Sequence, residues 1–472
     1  MSVGHAFKWA FLSELAAKAI QPIVFIVLAR ILSPQDFGVI AAASMVIAFS
    51  QIFWEAGMAN ALIQRQSEIE ESANVAFWIN IALGILFSVL LYIFADQIAL
   101  LFSQDGRVNE VLKVMTLQII LGALASVQTA LLRKDMAFKK LFWVRFVSVS
   151  LPGIISIPLA WYGWGVWALV IGALIGQLAQ VVMLWKLSQW KPKMRFSKAL
   201  AKEISKFGAW VSATSLLTWF YAWGDAFIIS YYLGLYDLGL YRTGNQFSDL
   251  IFATIFSPIL PVLYSHLSRL SGDTVTISFL IENILKLIMW IAFPIGAFLF
   301  IFGGDIQKVI FGRQWEGLGI IISYLSLRQC FAWVSSLNSE VYKALGKPQY
   351  ELIILLASLL IYVPTDFILA KINLVAFVHG RLILVLVSMA GHMWLITMIL
   401  KLPIQSLFYY GCFLLMASFA IAEGGNLLTT FLNMTELFKM LSTFVISALF
   451  LTSIFIFLKQ QKILKNLKMG FS

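Results

Sequence analysis

Charge and cysteine are both scarce in this chain. Only 12% of its 472 residues are Asp, Glu, Lys or Arg, against roughly 25% in a soluble domain, so a water-exposed globule is excluded. The two cysteines, Cys330 and Cys412, both lie in apolar runs. They exclude a disulfide framework, and without a CxxC or CxxCH there is no thiolate metal site or haem attachment to consider; small core thiols are the reading. The four histidines, His5, His266, His379 and His392, are dispersed, and no HExxH, DxD pair or GxxxxGK[ST] occurs. Zinc hydrolysis and P-loop chemistry are thereby excluded. Every loop is short, which leaves no external domain in which a polysaccharide polymerase would hold sugar. No catalytic residue, resident metal or cofactor is expected.

Hydrophobes fill the space that charge vacates, at 61% of residues. They recur in runs of about 20, the length that crosses a hydrocarbon core of about 30 Å at 1.5 Å per residue. Backbone groups find no water there, so the runs must be helices or a closed barrel. Continuous apolarity rather than period-2 alternation excludes the barrel. The expected spans lie near 7–29, 38–58, 75–97, 111–132, 141–161, 165–187, 204–232, 239–264, 282–303, 318–342, 351–371, 374–400, 404–424 and 437–459, giving an all-α polytopic membrane protein of about fourteen helices. The opening MSVGHAFKWAFLSELAAKAI lacks an ordered basic region, uninterrupted apolar stretch and small-residue cleavage site, and is expected to stay as a permanent span.

Lys and Arg set the orientation. With the N-terminus inside, the cytoplasmic loops collect Arg65, then Arg133, Lys134, Lys139 and Lys140, then the cluster from Lys186 to Lys206, and the tail adds Lys459, Lys462, Lys465 and Lys468. The opposite loops hold far fewer, so both termini are expected in the cytoplasm. The net charge of +11 is then charge of the cytoplasmic face, scattered over short loops, and not a nucleic-acid surface. On the other side WYGWGVW (Trp161 to Trp167) reads as an aromatic hairpin at headgroup level. Its match to G-x-G-x-x-A through Gly163, Gly165 and Ala168 has no preceding strand, so it is not a dinucleotide site.

An internal repeat organises the chain. LARILSPQDFGVI (Leu28 to Ile40) and ISYYLGLYDLGLY (Ile229 to Tyr241) align at one offset, since 233−32, 237−36 and 239−38 all give 201. Asp36 and Asp237 are expected to cap the following helix, and Gly38 and Gly239 to let the chain turn and helices approach. Weaker echoes occur at offsets 311−102 = 209 and 345−132 = 213. An even number of spans separates the copies, which implies a parallel repeat about an axis normal to the membrane. Two six-helix lobes around a central cavity are expected: residues 1–187 and 204–400, a basic cytoplasmic linker at 188–203, and two additional helices with a basic tail at 401–472. The linker reads equally as an amphipathic segment on anionic lipid or as a solvated connection.

Taken in order, LARILSPQDFG, NALIQRQ, AFWIN, LLRKDMAFKK, GWGVWALV, KPKMRFS, KFGAW, LGLYDLGLY and FGRQWEG make the chain resemble the Wzx-type polysaccharide flippases. These belong to the multidrug/oligosaccharidyl-lipid/polysaccharide exporter superfamily. The resemblance covers residues 7 to 350 well and the rest by hydropathy alone. It implies twelve core helices plus two, in a bacterial inner membrane. It also implies movement of undecaprenyl-pyrophosphate-linked oligosaccharide from the cytoplasmic to the periplasmic leaflet by alternating access, for exopolysaccharide, capsule or O-antigen. A polysaccharide polymerase and a chain-length regulator are implied as partners.

Charges inside spans are costly, about 2.5–3.5 kcal/mol each on insertion scales, and face a wet cavity or a partner. Glu14, Lys18 and Gln21 fall on one face of the first helix, either as a self-neutralising pair or as a polar stripe. Arg145 and Arg242 lie close enough to an interface to snorkel; Arg328 and Arg381 are deeper. Since a pyrophosphate requires positive charge and several donors, for which the Arg fork is suited, Lys18, Arg328, Arg381 and Arg242 are the candidate substrate-binding residues, with Glu14 beside them. Asp225 and Asp366 either pair with basic neighbours or couple transport to Na⁺ or H⁺. Pro364 is expected to break the helix beside Asp366; Glu55 and Asp249 are weaker candidates. The main rival function is a drug/cation antiporter of the same superfamily, which would favour acidic cavity residues. A polymerase or an assembly scaffold ranks below it.

Overall fold

The computed structural model describes residues 3–447 except 56, 103–104, 271–272, 348 and 446, and leaves out the side chains of 3–8, 10–17, 207, 210 and 261. Among the described residues there is no strand. The chain divides into two compact units, Met1–Arg242 and Thr243–Ser472. The first holds α1 (Val3–Ile31), α2 (Pro34–Glu55), α3 (Met58–Gln64), α4 (Ile69–Ile93), α5 (Ala95–Ala99), α6 (Arg107–Met115), α7 (Leu117–Lys134), α8 (Phe138–Trp161), α9 (Val166–Leu187), α10 (Lys198–Tyr232) and the start of α11 (Leu235–Phe256). The second holds the rest of α11, then α12 (Ile259–Arg269), α13 (Thr274–Ile301), α14 (Gly303–Ile306), α15 (Leu318–Ala344), α16 (Gln349–Ala370), α17 (Leu374–Leu400) and α18 (Ile404–Phe431).

Each expected span as far as 404–424 falls on helix, and the one at 437–459 lies mostly outside the described residues. Among the described residues ten helical stretches are long and apolar enough to cross a membrane. The chain is thus a multi-pass helical membrane protein. Three further expected spans, on α1, α10 and α11, are helical but are not among those ten. Polar side chains of α10 line the cleft described below, and those of α11 a seam with α15. Pro364 leaves α16 unbroken from Gln349 to Ala370, because neighbouring turns keep the helix in register through the one missing N–H.

The division between units falls inside α11, because α10 packs along α2, α3 and α4. The basic stretch before α10 is docked rather than free. Trp190 sits edge-on to Phe77 at 5.8 Å, the Lys193 N–H donates to Asn74 Oδ1 at 2.8 Å, and Trp78 Nε1 donates to the Lys193 carbonyl at 3.0 Å. Lys134 closes the same end of the unit by donating to the carbonyls of Leu62, Ile63 and Arg65, where the free C-terminal carbonyls of α3 favour a cation.

The repeat turns show a finer division of labour than the sequence suggests. Ser33, not Asp36, is the cap of α2: its Oγ accepts from the Asp36 N–H at 3.3 Å. Asp36, at the third helical position, reaches back and accepts from Ser33 N–H at 3.1 Å and Ser33 Oγ at 2.7 Å. This is a capping box, with Pro34 pre-set for the first turn. Asp36 also meets Arg107 Nη1 at 3.4 Å, and Arg107 Nη2 meets Asp105 at 2.7 Å. The Arg107 fork holds the Asp105 carboxyl below the usual carboxylate range. In the second copy Gly234, at φ 88°, takes the place of Ser33, and half-buried Asp237 lies three residues on.

Gly38 and Gly239 do not turn the chain; they let α2 and α11 touch. A Cβ on Gly38 would lie 1.9 Å from the Leu235 carbonyl oxygen, and a Cβ on Gly239 would lie 1.9 Å from that of Pro34. Since 38−34 and 239−235 are both 4, the contact is reciprocal: each glycine receives the first carbonyl of the other copy's helix. Only a residue without a Cβ allows this approach. Gly38→Ala and Gly239→Ala are each expected to destabilise the protein by about 1–3 kcal/mol through overpacking. The double variant should cost less than the sum, because both act on one contact. Thermal unfolding in detergent checks this, with Gly391→Ala, where a Cβ meets nothing within 4 Å, expected to be neutral.

Candidate functional site

In the first unit a polar cleft of about 410 Å³ opens between α2, α3 and α10. That volume is enough for a small ligand or part of a larger one. On α2 its wall is Ala48, Gln51, Ile52 and Glu55, one face at helical spacing. On α10 it is Val211, Thr214, Ser215, Thr218, Trp219 and Trp223, again one face. Asn60 of α3 closes one side, and Gly57, at φ 65°, carries the chain from α2 into α3. A Cβ there would collide with Val211 at 2.6 Å, so this glycine answers both to backbone conformation and to packing against α10.

Hydrogen bonds fix the two walls. Ser212 Oγ donates to the Ile52 carbonyl at 2.9 Å and Trp219 Nε1 to that of Met45 at 3.3 Å. Phe49 packs edge-on to Trp219 at 4.9 Å. Gln51 Nε2 donates to Glu55 Oε2 at 2.7 Å, so amide and carboxylate present one joined polar surface. Thr214 and Thr218 donate to the carbonyls of Val211 and Thr214. Their hydrogens are spent on the helix, and their oxygens remain acceptors. Among the described residues the lining holds one carboxylate, Glu55, and no cation.

The sequence-derived candidates distribute as follows. Arg242 stacks its guanidinium 4.1 Å from the ring centre of Trp223, a residue of the cleft wall. Asp225 is buried, and Tyr241 donates to its Oδ2 at 2.6 Å, bridging α10 and α11. Lys18 is half-buried on α1, and the side chain of Glu14 lies outside the described residues. In the second unit Arg328 Nη1 donates to Asn245 Oδ1 at 2.8 Å and Gln329 Nε2 to Asp249 Oδ1 at 3.0 Å. With Ser248 and Ser326 at 2.8 Å, these form a polar seam between α11 and α15. Arg381 and Asp366 find each other: Nη2 to Oδ2 is 3.0 Å, with both side chains at most 7% exposed. Tyr362 and Phe377 flank the guanidinium at 5.4 and 5.6 Å. Of the two readings of Asp366, this is the neutralised pair. The residues that sequence reasoning missed are Gln51, Asn60, Thr214, Ser215, Thr218, Trp219 and Trp223. Their signal was polar and indole side chains at i, i+4 spacing within otherwise apolar helices.

The buried pair makes a sharp expectation. Asp366→Leu or Arg381→Met alone strands a buried charge and should cost about 3–5 kcal/mol, whereas the double variant should approach wild-type stability or exceed it. A double-variant cycle of unfolding midpoints measures this. An additive result would mean the two groups do not act as a pair.

The geometry can now be set beside known proteins. The family model described as polysaccharide biosynthesis protein (Polysacc_synt_3) matches residues 27–320. Among curated proteins the chain is 27% identical to the succinoglycan biosynthesis transport protein ExoT of Rhizobium meliloti (strain 1021), over 68% of this chain and 64% of that protein. It is 23% identical to the teichuronic acid biosynthesis protein TuaB of Bacillus subtilis (strain 168), over 90% and 88%. The match thus spans a little under two thirds of the ExoT length. Among solved structures the lipid II flippase MurJ in an inward closed conformation superposes with a TM-score of 0.76 at 17% identity, covering 95% of this chain and 98% of that one. An inward-facing multidrug resistance MATE transporter of the MOP superfamily gives 0.62 at 14%, covering 84% and 99%. These two share the fold. With the family model covering residues 27–320, more than half of the chain, the protein belongs to the polysaccharide biosynthesis protein family.

Proposed function

We propose that this protein is a flippase that moves undecaprenyl-pyrophosphate-linked oligosaccharide from the cytoplasmic to the periplasmic leaflet of a bacterial inner membrane by alternating access. Its sugar units sit in the cleft between α2, α3 and α10. One observation carries the reading: a cleft among membrane helices whose wall combines two indoles with amides, hydroxyls and a carboxylate. Sugar rings offer apolar C–H faces to aromatic surface and hydroxyl groups to such donors and acceptors. The names of the relatives, a succinoglycan transport protein and a teichuronic acid biosynthesis protein among them, support the same substrate class.

The phosphates fall to cations outside the cleft lining. In the first unit Arg242, stacked on Trp223, and Lys18 are the proposed contributors; Arg328 is a separate proposed phosphate contact of the second unit. Arg381 is committed to Asp366 and contributes least. Carrying negative charge outward is favoured by about 2.3 kcal/mol per elementary charge per 100 mV, so ion coupling serves to reset the empty carrier. Asp225, hydrogen-bonded to Tyr241, is the proposed Na⁺ or H⁺ site. Both termini are cytoplasmic in this reading, and a polymerase and a chain-length regulator are its proposed partners. A second reading has its own support: Glu55 beside two indoles is also the chemistry of a cation site, as a drug/cation antiporter requires.

Depletion in the host separates the two. The flippase reading expects lipid-linked oligosaccharide to accumulate on the cytoplasmic leaflet and surface polymer to disappear. Complementation by Trp223→Ala or by Gln51→Ala/Asn60→Ala should fall about thirtyfold or more in flipping rate, the scale of an interface hot spot of about 2 kcal/mol. Unchanged lipid-linked sugar with heightened sensitivity to cationic drugs, and loss of protection in Glu55→Gln, would establish the antiporter instead.

A further inference from the structure

The stretch that joins α9 to α10 turns large apolar side chains outward among basic ones. Met194 is 90% exposed and Phe196 56%, and Lys191, Arg195 and Lys198 are exposed around them. Most carboxylates at this end already hold a cation. Lys193 Nζ meets Glu70 at 2.5 Å, with Arg195 near enough to add to the field there, and Arg65 meets Glu68 and Glu203 at 3.0 Å each. Glu71, exposed on the first turn of α4, is outnumbered by the cations that remain. Lys191 Nζ donates to the Trp185 carbonyl and lies 5.2 Å from the centre of the Trp185 ring; both partners are neutral and leave its charge in place.

The depth of this loop follows from its hold on α4. Asn74 and Trp78, which bond the Lys193 N–H and carbonyl, are one turn apart, and Ile85 and Val89 continue the same face of the helix. Both of these are exposed. α4 is long and apolar enough to cross a membrane, so an exposed apolar face along it meets lipid tails. The loop is thus seated on the lipid-facing flank of α4, close to the helix start, where α4 enters the bilayer. Trp185 and Trp190 pack against Phe77 at that level, at 6.1 and 5.8 Å, with Trp78 beside them at 5.4 Å from the same ring. Indoles and cations gathered at one level mark the headgroup region.

We propose that the stretch from Trp190 to Ser197 is a surface anchor that docks on anionic lipid of the leaflet beside it. Met194 and Phe196 enter the boundary between headgroups and acyl chains, where apolar side chains leave water. Lys191, Arg195 and Lys198 meet the lipid phosphates, with their methylene stems along the apolar surface. An anionic surface strengthens binding about fivefold for each basic residue held near it. The anchor is independent of the substrate cleft, and the lipid it meets is the surrounding bilayer rather than cargo.

Hydrogen exchange on the full chain in lipid nanodiscs provides the test. In discs of phosphatidylcholine mixed with phosphatidylglycerol, the amides of residues 194–197 should exchange about fivefold or more slowly than in discs of phosphatidylcholine alone. Arg195→Gln/Lys198→Gln should remove that difference, and Met194→Ser/Phe196→Ser should speed exchange in the mixed discs. Lys401→Gln, at an exposed lysine of the second unit, should leave the difference as in wild type. All four replaced side chains of the loop are exposed, and unchanged exchange along α9 reports that each variant is folded. Equal exchange of the wild-type loop in the two kinds of disc, as water or an acidic protein partner on this face would give, overturns the proposal. So does a difference that survives in Arg195→Gln/Lys198→Gln, or slow exchange that persists in Met194→Ser/Phe196→Ser.

Discussion

The first unit depends on one close approach, the reciprocal meeting of Gly38 with Leu235 and of Gly239 with Pro34. Lipid tails are as apolar as leucine, so helices in a membrane gain little from hydrophobic sorting and associate through tight packing and hydrogen bonds. At this contact backbone meets backbone, which places the start of α11 against the start of α2. The end of α10, joined to α11 through Gly234, is thereby placed too. From there α10 runs back along α2 to Glu55, with Trp219 and Ser212 hydrogen-bonded to α2 carbonyls on the way. The cleft is what remains between these helices where small and polar side chains replace large apolar ones.

Charge is handled locally wherever it goes deep. Arg381 is neutralised by Asp366 in a pocket of aromatic rings. Asp225 receives a phenol hydroxyl, and Arg328 reaches an amide oxygen. These partners differ in what they leave over. A carboxylate cancels a guanidinium, whereas an amide oxygen satisfies one N–H and leaves the positive charge in place. Arg242 over Trp223 likewise keeps its charge while losing exposure. In the proposed reading the cations that attract a phosphate are those with neutral partners, which keeps Arg328 and Arg242 and sets Arg381, placed beside Arg328 by depth in the sequence, below them.

Much of the fold was legible in the sequence because hydropathy and loop charge report directly on the bilayer. The repeat offset of 201 even located the two helix starts, since 235−34 is again 201. The role of Gly38 and Gly239 was half legible: close approach was expected, but not that each glycine would receive the other copy. Asp36 looked like a cap because Asp is a good one, yet Ser33 stands three residues earlier and takes that place. The site was less legible. Pairing of Asp366 with Arg381 joins neighbouring helices, and no local pattern distinguishes a partner 15 residues away from a ligand. The cleft residues on α10 were visible as polar interruptions at helical spacing, but weighting charge over hydroxyl and indole hid them.

The composition of the cleft constrains how a phosphorylated substrate lies in it. Among the described residues of the lining Glu55 is the one carboxylate, and none is a cation. A phosphate approaching it to about 4 Å would be repelled by about 4 kcal/mol at an effective dielectric of 20, which exceeds what a single charge-assisted hydrogen bond returns. In the proposed reading the phosphate end stays outside the cleft and the neutral sugar enters it. Arg242 stacks 4.1 Å from the ring centre of Trp223, so a fixed positive charge stands against an indole of the cleft wall on which a sugar face can stack. Polarity along the proposed substrate, sugar at one end and phosphate at the other, would in this way be matched by polarity built into α2, α10 and the first turns of α11.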